Sequence, residues 1–146
     1  MKKLMILLIM LAGLVDVAAQ YNATVVEYTR DVITMRATGY GRKAAKASDD
    51  AELSAIKTVL FAGAYGAQYR IPLIKEEQAA VEAEHNDFFE KLYGGGYKNY
   101  IESSVVAVPF GKNAVKKKCI VLDVRIRVTQ LRSYLENNGI IRKFGL

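Results

Sequence analysis

The sequence predicts an α+β domain in which helices are packed on one face of an antiparallel sheet. Strand-like segments stand on both sides of two segments with helical periodicity. One of these strand-like segments alternates strictly between apolar and polar residues, as expected for a sheet with one covered face. The resulting order of strand, helix, helix, strand, strand and short helix is typical of the α+β class.

The first clear element is a strand over residues 32–40, which is rich in β-branched side chains and is bounded by Gly39 and Gly41. Residues 21–28 also have a strand-like composition, and their side chains alternate between two faces. We expect this upstream segment to be an N-terminal arm or an edge strand.

Two helices are predicted in the middle of the chain. Ser48 is the expected N-cap of the first, because acidic residues that favour the helix macrodipole follow it. Small apolar residues at helical spacing extend this helix to residue 64 or so. Residues 65–74 contain glycine and proline and predict a connection, and the second helix, over 76–93, ends at the glycine run 94–96.

The last third of the chain predicts a hairpin and a short closing helix. Residues 100–110 and 118–128 are strand-like, and Gly111 to Asn113 supply turn chemistry between them. Thr129 is the expected cap of a helix that runs to Asn137 and that Gly139 ends. The residues predicted to face the core from the second strand are Ile120, Leu122, Val124, Ile126 and Val128. The residues predicted to face the other side are Val121, Asp123, Arg125 and Arg127.

Residues 1–19 have the pattern of a cleavable bacterial signal peptide. Lys2 and Lys3 precede an apolar stretch, and small residues before Gln20 form a peptidase site. A retained membrane anchor is the alternative interpretation. The apolar stretch disfavours it, because it is shorter than the roughly 20 residues of a transmembrane helix. No cysteine stands at the cleavage site, as a lipoprotein anchor would need. We therefore expect a periplasmic protein with one domain over residues 20–146, and outer-membrane association stays open.

Charge and cysteine content limit the partners and the chemistry. Residues 20–146 carry 19 basic and 14 acidic side chains, a net charge of +5. This excess favours an anionic partner, such as an envelope protein or an anionic glycan or lipid surface, and export argues against nucleic acid. Cys119 is the sole cysteine and excludes an internal disulfide. We expect a buried thiol in a strand; an intermolecular disulfide and a catalytic thiol are the alternatives.

Two patterns resemble ligand sites without their full context. Gly39 to Ala44 read G-x-G-x-x-A, but no repeating βαβ pattern follows, so we interpret them as a turn that needs small residues. His85 lies on the apolar face of the second predicted helix, where Glu82 or Glu84 could add only one further ligand. We predict no metal site, no cofactor and no catalytic residues.

The predicted hairpin carries a run of positive charge. Lys112 and the lysines 116–118 surround its turn, and two arginines follow on its outer face. One interpretation is a solvated tip that discourages edge-to-edge aggregation, and the other is a surface for an anionic partner. The candidate partner-binding residues on this hairpin are Lys116, Lys117, Lys118, Arg125 and Arg127.

Three tyrosines form a second candidate surface. Tyr93, Tyr97 and Tyr100 flank the glycine run, and aromatic side chains beside glycines can provide a protein or carbohydrate contact. Packing of this loop onto the core is the alternative interpretation.

The sequence from residue 37 onward resembles a known family of small envelope domains. The stretch ATGYGRKAAKASDDAELSAIKTVLFAGA is similar to the opening of the N-terminal domain of the flagellar assembly protein FlgT and of the LPP-type outer-membrane lipoproteins. The segment CIVLDVRIRVTQLRSYL resembles their closing strand and helix. The residues that carry the opening are Gly39, Gly41, Asp50, Ala51, Ala55 and Ile56. The resemblance implies a non-enzymatic α+β domain that helps to build or stabilise an envelope assembly.

The predicted function is therefore an exported, non-enzymatic binding or assembly module of the cell envelope. The alternative is a small periplasmic ligand-binding protein, whose signature would be an enclosed pocket under the tyrosines. An enzyme is the third hypothesis, because no motif brings a nucleophile, a base and an orienting group together.

Overall fold

The computed structural model describes residues 22–63 and 71–143. The predicted signal peptide lies outside the described residues. The strands are β1 (Ala23–Tyr28), β2 (Val32–Tyr40), β3 (Ile101–Lys112) and β4 (Lys118–Arg127). The helices are α1 (Ala44–Lys57), α2 (Gln78–Glu84), α3 (Asn86–Tyr93) and α4 (Val128–Asn137). A π-helical turn (Thr58–Ala62) extends α1, and a 3₁₀ turn (Gly96–Tyr100) precedes β3.

The four strands form one antiparallel sheet in the order β1, β2, β4, β3. This confirms the α+β prediction, including the edge position of the N-terminal strand. The pairing of β2 with β4 is regular from Val32 opposite Arg127 to Tyr40 opposite Cys119. The outer strands are less regular, since β1 carries one bulge and the pairing of β3 shifts three times. Such irregularities are common at sheet edges.

The core lies between the helices and one face of the sheet. Helix α1 packs against the two central strands, where its small side chains allow a close approach. The alternation of residues 118–128 correctly predicted which side of β4 is buried. The core side chains that these elements supply are Ile33, Met35, Ala37, Ala47, Ala51, Ala55, Ile56, Ile120, Leu122, Val124 and Ile126. The opposite face of the sheet carries no helix among the described elements, and we call it the open face.

Gly39 and Gly41 are placed where a side chain would collide with α1. A Cβ atom on Gly39 would lie 1.9 Å from the Ala47 carbonyl oxygen, and one on Gly41 would lie 2.7 Å from the Ala47 nitrogen. The G-x-G spacing therefore serves close packing of a helix on a strand. Gly39 lies within β2 and pairs with Ile120, so the interpretation of this residue as part of a turn was wrong.

The predicted start of the first helix was wrong. Helix α1 begins four residues before Ser48, after an N-cap at Lys43 that makes no side-chain cap hydrogen bond, and its first turn holds no acidic residue. Burial of Ala47 explains the earlier start. This residue packs against Gly39 as part of the helix, so the helix has to begin before it. Asp50 instead accepts a hydrogen bond from the Tyr40 backbone nitrogen at 2.8 Å.

Two other helix boundaries differ from the prediction. The expected second helix is divided at His85, whose φ of −116° and ψ of 43° are not helical. The closing helix starts at Val128 rather than after Thr129, whose hydroxyl donates to the Asp31 carboxylate at 2.9 Å instead of capping. Its end near Gly139 is confirmed, and that glycine has a φ of 71°.

Candidate functional site

A cluster of positive charge lies at one end of the sheet, where the β3–β4 hairpin meets the start of α1. The Gly41 nitrogen donates to the Lys118 carbonyl at 3.3 Å, so the β2–α1 connection is joined directly to the hairpin. A Cβ on Gly41 would lie 3.0 Å from the Lys46 Cβ, which shows how closely the first turn of α1 follows. We call this cluster the basic pole; its members are Arg42, Lys43, Lys46, Lys112, Lys116, Lys117 and Lys118.

The hairpin turn places four of these lysines around its tip. Asn113 organises the turn, because its side-chain oxygen accepts hydrogen bonds from the backbone nitrogens of Val115 at 3.1 Å and Lys117 at 2.9 Å. Lys116 adopts a left-handed φ of 59°. Between the lysines, Val115 is 71% exposed. The predicted turn from Gly111 to Asn113 was therefore placed too early, since β3 continues to Lys112.

The basic pole holds the whole positive excess of the predicted mature chain. Seven of the 19 basic side chains in residues 20–146 belong to it, and the 12 that remain are outnumbered by 14 acidic ones. All seven are exposed. None of the seven forms an ion pair within residues 22–63 and 71–143. The Lys117 ammonium lies 5.9 Å from the centroid of the Tyr40 ring.

The acidic residues nearest in sequence to the pole are engaged in other contacts. Asp50 accepts the Tyr40 backbone hydrogen bond, and Asp49 accepts a hydrogen bond from the Lys98 ammonium at 2.7 Å. That hydrogen bond is the main cause of a raised pKa for Lys98, which also lies 3.4 Å from Glu52. The pole therefore keeps a positive field that these carboxylates do not neutralise by pairing.

Arg125 and Arg127 do not lie with the hairpin lysines. Arg125 is seven residues from Lys118, about 23 Å along the strand. It forms ion pairs with Glu102 at 2.6 Å and Glu27 at 3.0 Å on the open face. The Arg127 guanidinium donates to the Asn99 carbonyl at 3.3 Å. Of the five hairpin residues predicted to bind a partner, the structure brings together only the three lysines.

The rest of the open face is also charge-paired. Arg36 and Asp123, which face each other across β2 and β4, form two hydrogen bonds of 2.8 and 2.9 Å. This hydrogen bonding lowers the pKa of Asp123, and the hydrogen bond from Arg125 likewise lowers the pKa of Glu102. Opposite charges alternate across the strands here, so the open face carries a balanced pattern rather than a single sign.

The three predicted tyrosines pack against the protein. Tyr97 is only 3% exposed, and burial raises its pKa. The half-buried Tyr93 donates to a Glu82 carboxylate oxygen at 2.5 Å, with the Lys57 ammonium 4.4 Å from its ring centroid. Tyr100 stacks on Tyr134, with ring centroids 5.2 Å apart. The packing interpretation therefore describes these side chains better than a contact surface does.

Cys119 and His85 occupy ordinary positions. Cys119 lies in a strand as predicted, but it is a free, half-buried thiol on the open face of β4, so its expected burial in the core was wrong. His85 lines a groove of about 380 Å³ at the α2–α3 junction, together with Phe88, Asn138 and Ile140. In the described part of the chain, no three His, Cys, Asp or Glu side chains are grouped to hold a metal. No helix within those same residues has the length and hydropathy to cross a membrane.

Sequence reasoning missed Arg42, Lys43 and Lys46 as part of a surface. They lie about 70 residues before the hairpin, and their own segment reads as a helix start. The available signal was the pair of glycines before them, which a helix must approach closely.

Comparison with known proteins gave no match to a family model, to a curated protein or to a solved structure. The resemblance to the FlgT and LPP-type domains stays a prediction.

Proposed function

We propose that the chain is an exported, non-enzymatic binding module of the bacterial cell envelope, and that its basic pole binds an anionic component there. The observation that carries this proposal is the convergence of seven cations from two distant segments, none of which forms an ion pair within the part of the chain that the structure describes. Clusters of like charge repel one another and create a field that attracts anions. An anionic partner would supply the missing opposite charge.

The alternative hypothesis, a small periplasmic ligand-binding protein, finds less support. Its expected signature was a pocket under the tyrosines, yet Tyr97 is buried and the other two side chains contact Glu82 and Tyr134. The groove beside His85 is lined by none of the three tyrosines. The basic pole, with its seven exposed cations, is therefore a stronger candidate for a binding surface than this groove.

Association with isolated envelopes tests the proposal. Three double variants each remove two exposed lysine charges and keep most of the side chain. The helix pair is Lys43→Gln with Lys46→Gln, the hairpin pair is Lys112→Gln with Lys117→Gln, and the control pair is Lys75→Gln with Lys91→Gln. Lys75 lies far from the basic pole. It follows Ile74, whose backbone nitrogen donates to the Leu60 carbonyl. Leu60 is 14 residues after Lys46, which is about 20 Å along a helix.

We expect the native protein to sediment with envelopes at about 0.1 M salt and to be released at about 1 M, where the screening length falls to about 3 Å. The helix pair and the hairpin pair should each remain largely soluble, and the control pair should behave as the native protein does. Equal loss in all three variants, or no loss in any, would contradict a role for the pole. Sequencing the recovered protein tests export, which predicts Gln20 as its first residue.

A further inference from the structure

The basic pole combines its charge with exposed apolar side chains. Val115 stands at the tip of the hairpin, 71% exposed, between lysines on either side. Tyr40 is also exposed at this end. An apolar side chain at the far end of a hairpin has no core of its own chain to enter. It gains free energy only when an external apolar medium covers it.

The arrangement of lysines around an apolar apex fits a membrane interface. Lysine stems can lie along apolar surface while their ammonium groups stay with polar headgroups. Basic side chains near an anionic bilayer add attraction within a Debye length of its surface. Apolar side chains on the same element add affinity by entering the boundary between headgroups and acyl chains. Both contributions are available at the pole.

The kinds of cation also favour a lipid surface over a defined protein or glycan ligand. Six of the seven members are lysines. Lysine is a flexible point charge, whereas arginine provides the planar, bidentate hydrogen bonding that suits a fixed carboxylate or phosphate. A layer of lipid headgroups offers negative charge without fixed positions, so flexible lysine side chains are sufficient to bind it. A polysaccharide would satisfy the lysines and leave Val115 in water.

We propose that the basic pole docks onto an anionic phospholipid surface, with Val115 entering the interfacial region and the lysines contacting the headgroups. This inference rests on the proposed function, because it names the anionic component that the pole binds. The sheet then stands on the membrane by one end, so β1, β3 and the open face remain accessible to other molecules.

Sedimentation with defined vesicles tests the docking. The probes are vesicles of phosphatidylcholine alone and vesicles with about one third phosphatidylglycerol. We expect the native protein to bind only the anionic vesicles. The helix pair and the hairpin pair should each bind roughly 30-fold more weakly, from the attraction of two lysines, while the control pair changes far less. Val115→Ser, which removes the apolar contact but no charge, should bind roughly tenfold more weakly.

Fluorescence separates insertion from simple charge attraction. The chain contains no tryptophan, so Val115→Trp gives a single reporter at the hairpin tip. Its emission should shift to shorter wavelength with anionic vesicles and stay unchanged with neutral ones. Ile71→Trp is the matched control, since Ile71 is also exposed and lies outside the pole. Its emission should not shift. Far-ultraviolet circular dichroism establishes that each variant is folded.

Each possible outcome decides the proposal. Binding confined to anionic vesicles, with the lysine dependence and the Val115→Trp shift, supports it. Equal binding to both kinds of vesicle, an unshifted Val115→Trp emission, or no vesicle binding at all would overturn it. If envelope association still depends on the helix and hairpin pairs while vesicles do not bind, the partner is a protein or a glycan, and the proposed function stands without this inference.

Discussion

Replacing Gly39 by alanine tests the close contact that holds the basic pole together. The new Cβ would lie 1.9 Å from the Ala47 carbonyl oxygen and 2.3 Å from the Ala51 nitrogen. Real Cβ atoms do not approach other atoms closer than 3.0 Å, so α1 would have to move away from β2 by roughly 1 Å. Both contacting atoms belong to the helix backbone and cannot rotate away as a side chain would.

The expected loss of stability follows from this geometry. Overpacking a core costs typically 1–3 kcal/mol, and a collision with backbone belongs at the upper end, about 3 kcal/mol. A domain of this size is stable by about 5–15 kcal/mol, so the variant should still fold. Its melting temperature should fall by roughly 10 °C. Because Lys46 follows the same helix, envelope association should weaken as well.

Urea unfolding followed by circular dichroism measures the change, and Gly111→Ala is the control. Gly111 has no atom within 4 Å of the position its Cβ would take, and its backbone is outside the left-handed region. We expect that variant to match the native protein within about 0.5 kcal/mol. If Gly39→Ala were as stable as Gly111→Ala, the close approach of α1 to β2 would be refuted.

Two further predictions concern the two faces of the sheet. Leu122→Ala, on the buried face of β4, should lower the free energy of unfolding by about 2–5 kcal/mol. Val121→Ala, on the open face, should cost clearly less, and equal losses would contradict the assignment of faces. Asp123→Asn should lower the melting temperature at neutral pH, because pairing with Arg36 lowers the pKa of Asp123 in the folded state. That contribution is present above the ordinary carboxyl pKa of 3.8 and is lost as the pH falls through the folded value. The difference in melting temperature between variant and native protein should therefore shrink on acidification, and a constant difference would contradict the ion pair.

The central part of the fold could be predicted from sequence because burial imposes a simple period there. In β4, apolar residues alternate from Ile120 to Ile126, and all four face the core. Residues 32–40 formed a strand with the predicted bounds. Each of these strands has neighbours on both sides, so backbone pairing and side-chain burial agree with local preference.

Helix boundaries were less predictable because tertiary contacts decide them. Ser48 has the local chemistry of an N-cap, but packing of Ala47 against Gly39 extends α1 toward Lys43. The second helix has a continuous apolar pattern across His85, yet the backbone of this residue is not helical. The first effect leaves only the glycine pair at 39 and 41 as a local sequence signal, and the second leaves none, since each depends on a surface supplied by another element.

The basic pole was predictable only in part for a similar reason. The lysine run 116–118 is visible in the sequence, and it correctly indicated the hairpin as a charged region. Arg125 and Arg127 were predicted to extend that region, but a charge in a sequence does not reveal its partner. Glu27, which pairs with Arg125, is 98 residues away. Counting charges along one strand thus combined the ion-paired arginines with lysines that form no ion pair among the described residues.

The distribution of acidic residues supports the function proposed for the basic pole. Residues 20–146 contain 14 carboxylates, and the open face uses Glu27, Glu102 and Asp123 to pair two arginines. The fold therefore neutralises positive charge on the open face of the sheet. At the pole it gathers seven cations and pairs none of them within the described residues, although their mutual repulsion opposes folding. Solubility alone does not require such asymmetry, since the same charges spread over the surface would repel other copies equally well. A concentration at one end is favoured when the opposite charge arrives from outside, which is the situation of a domain that stands by that end on an anionic surface.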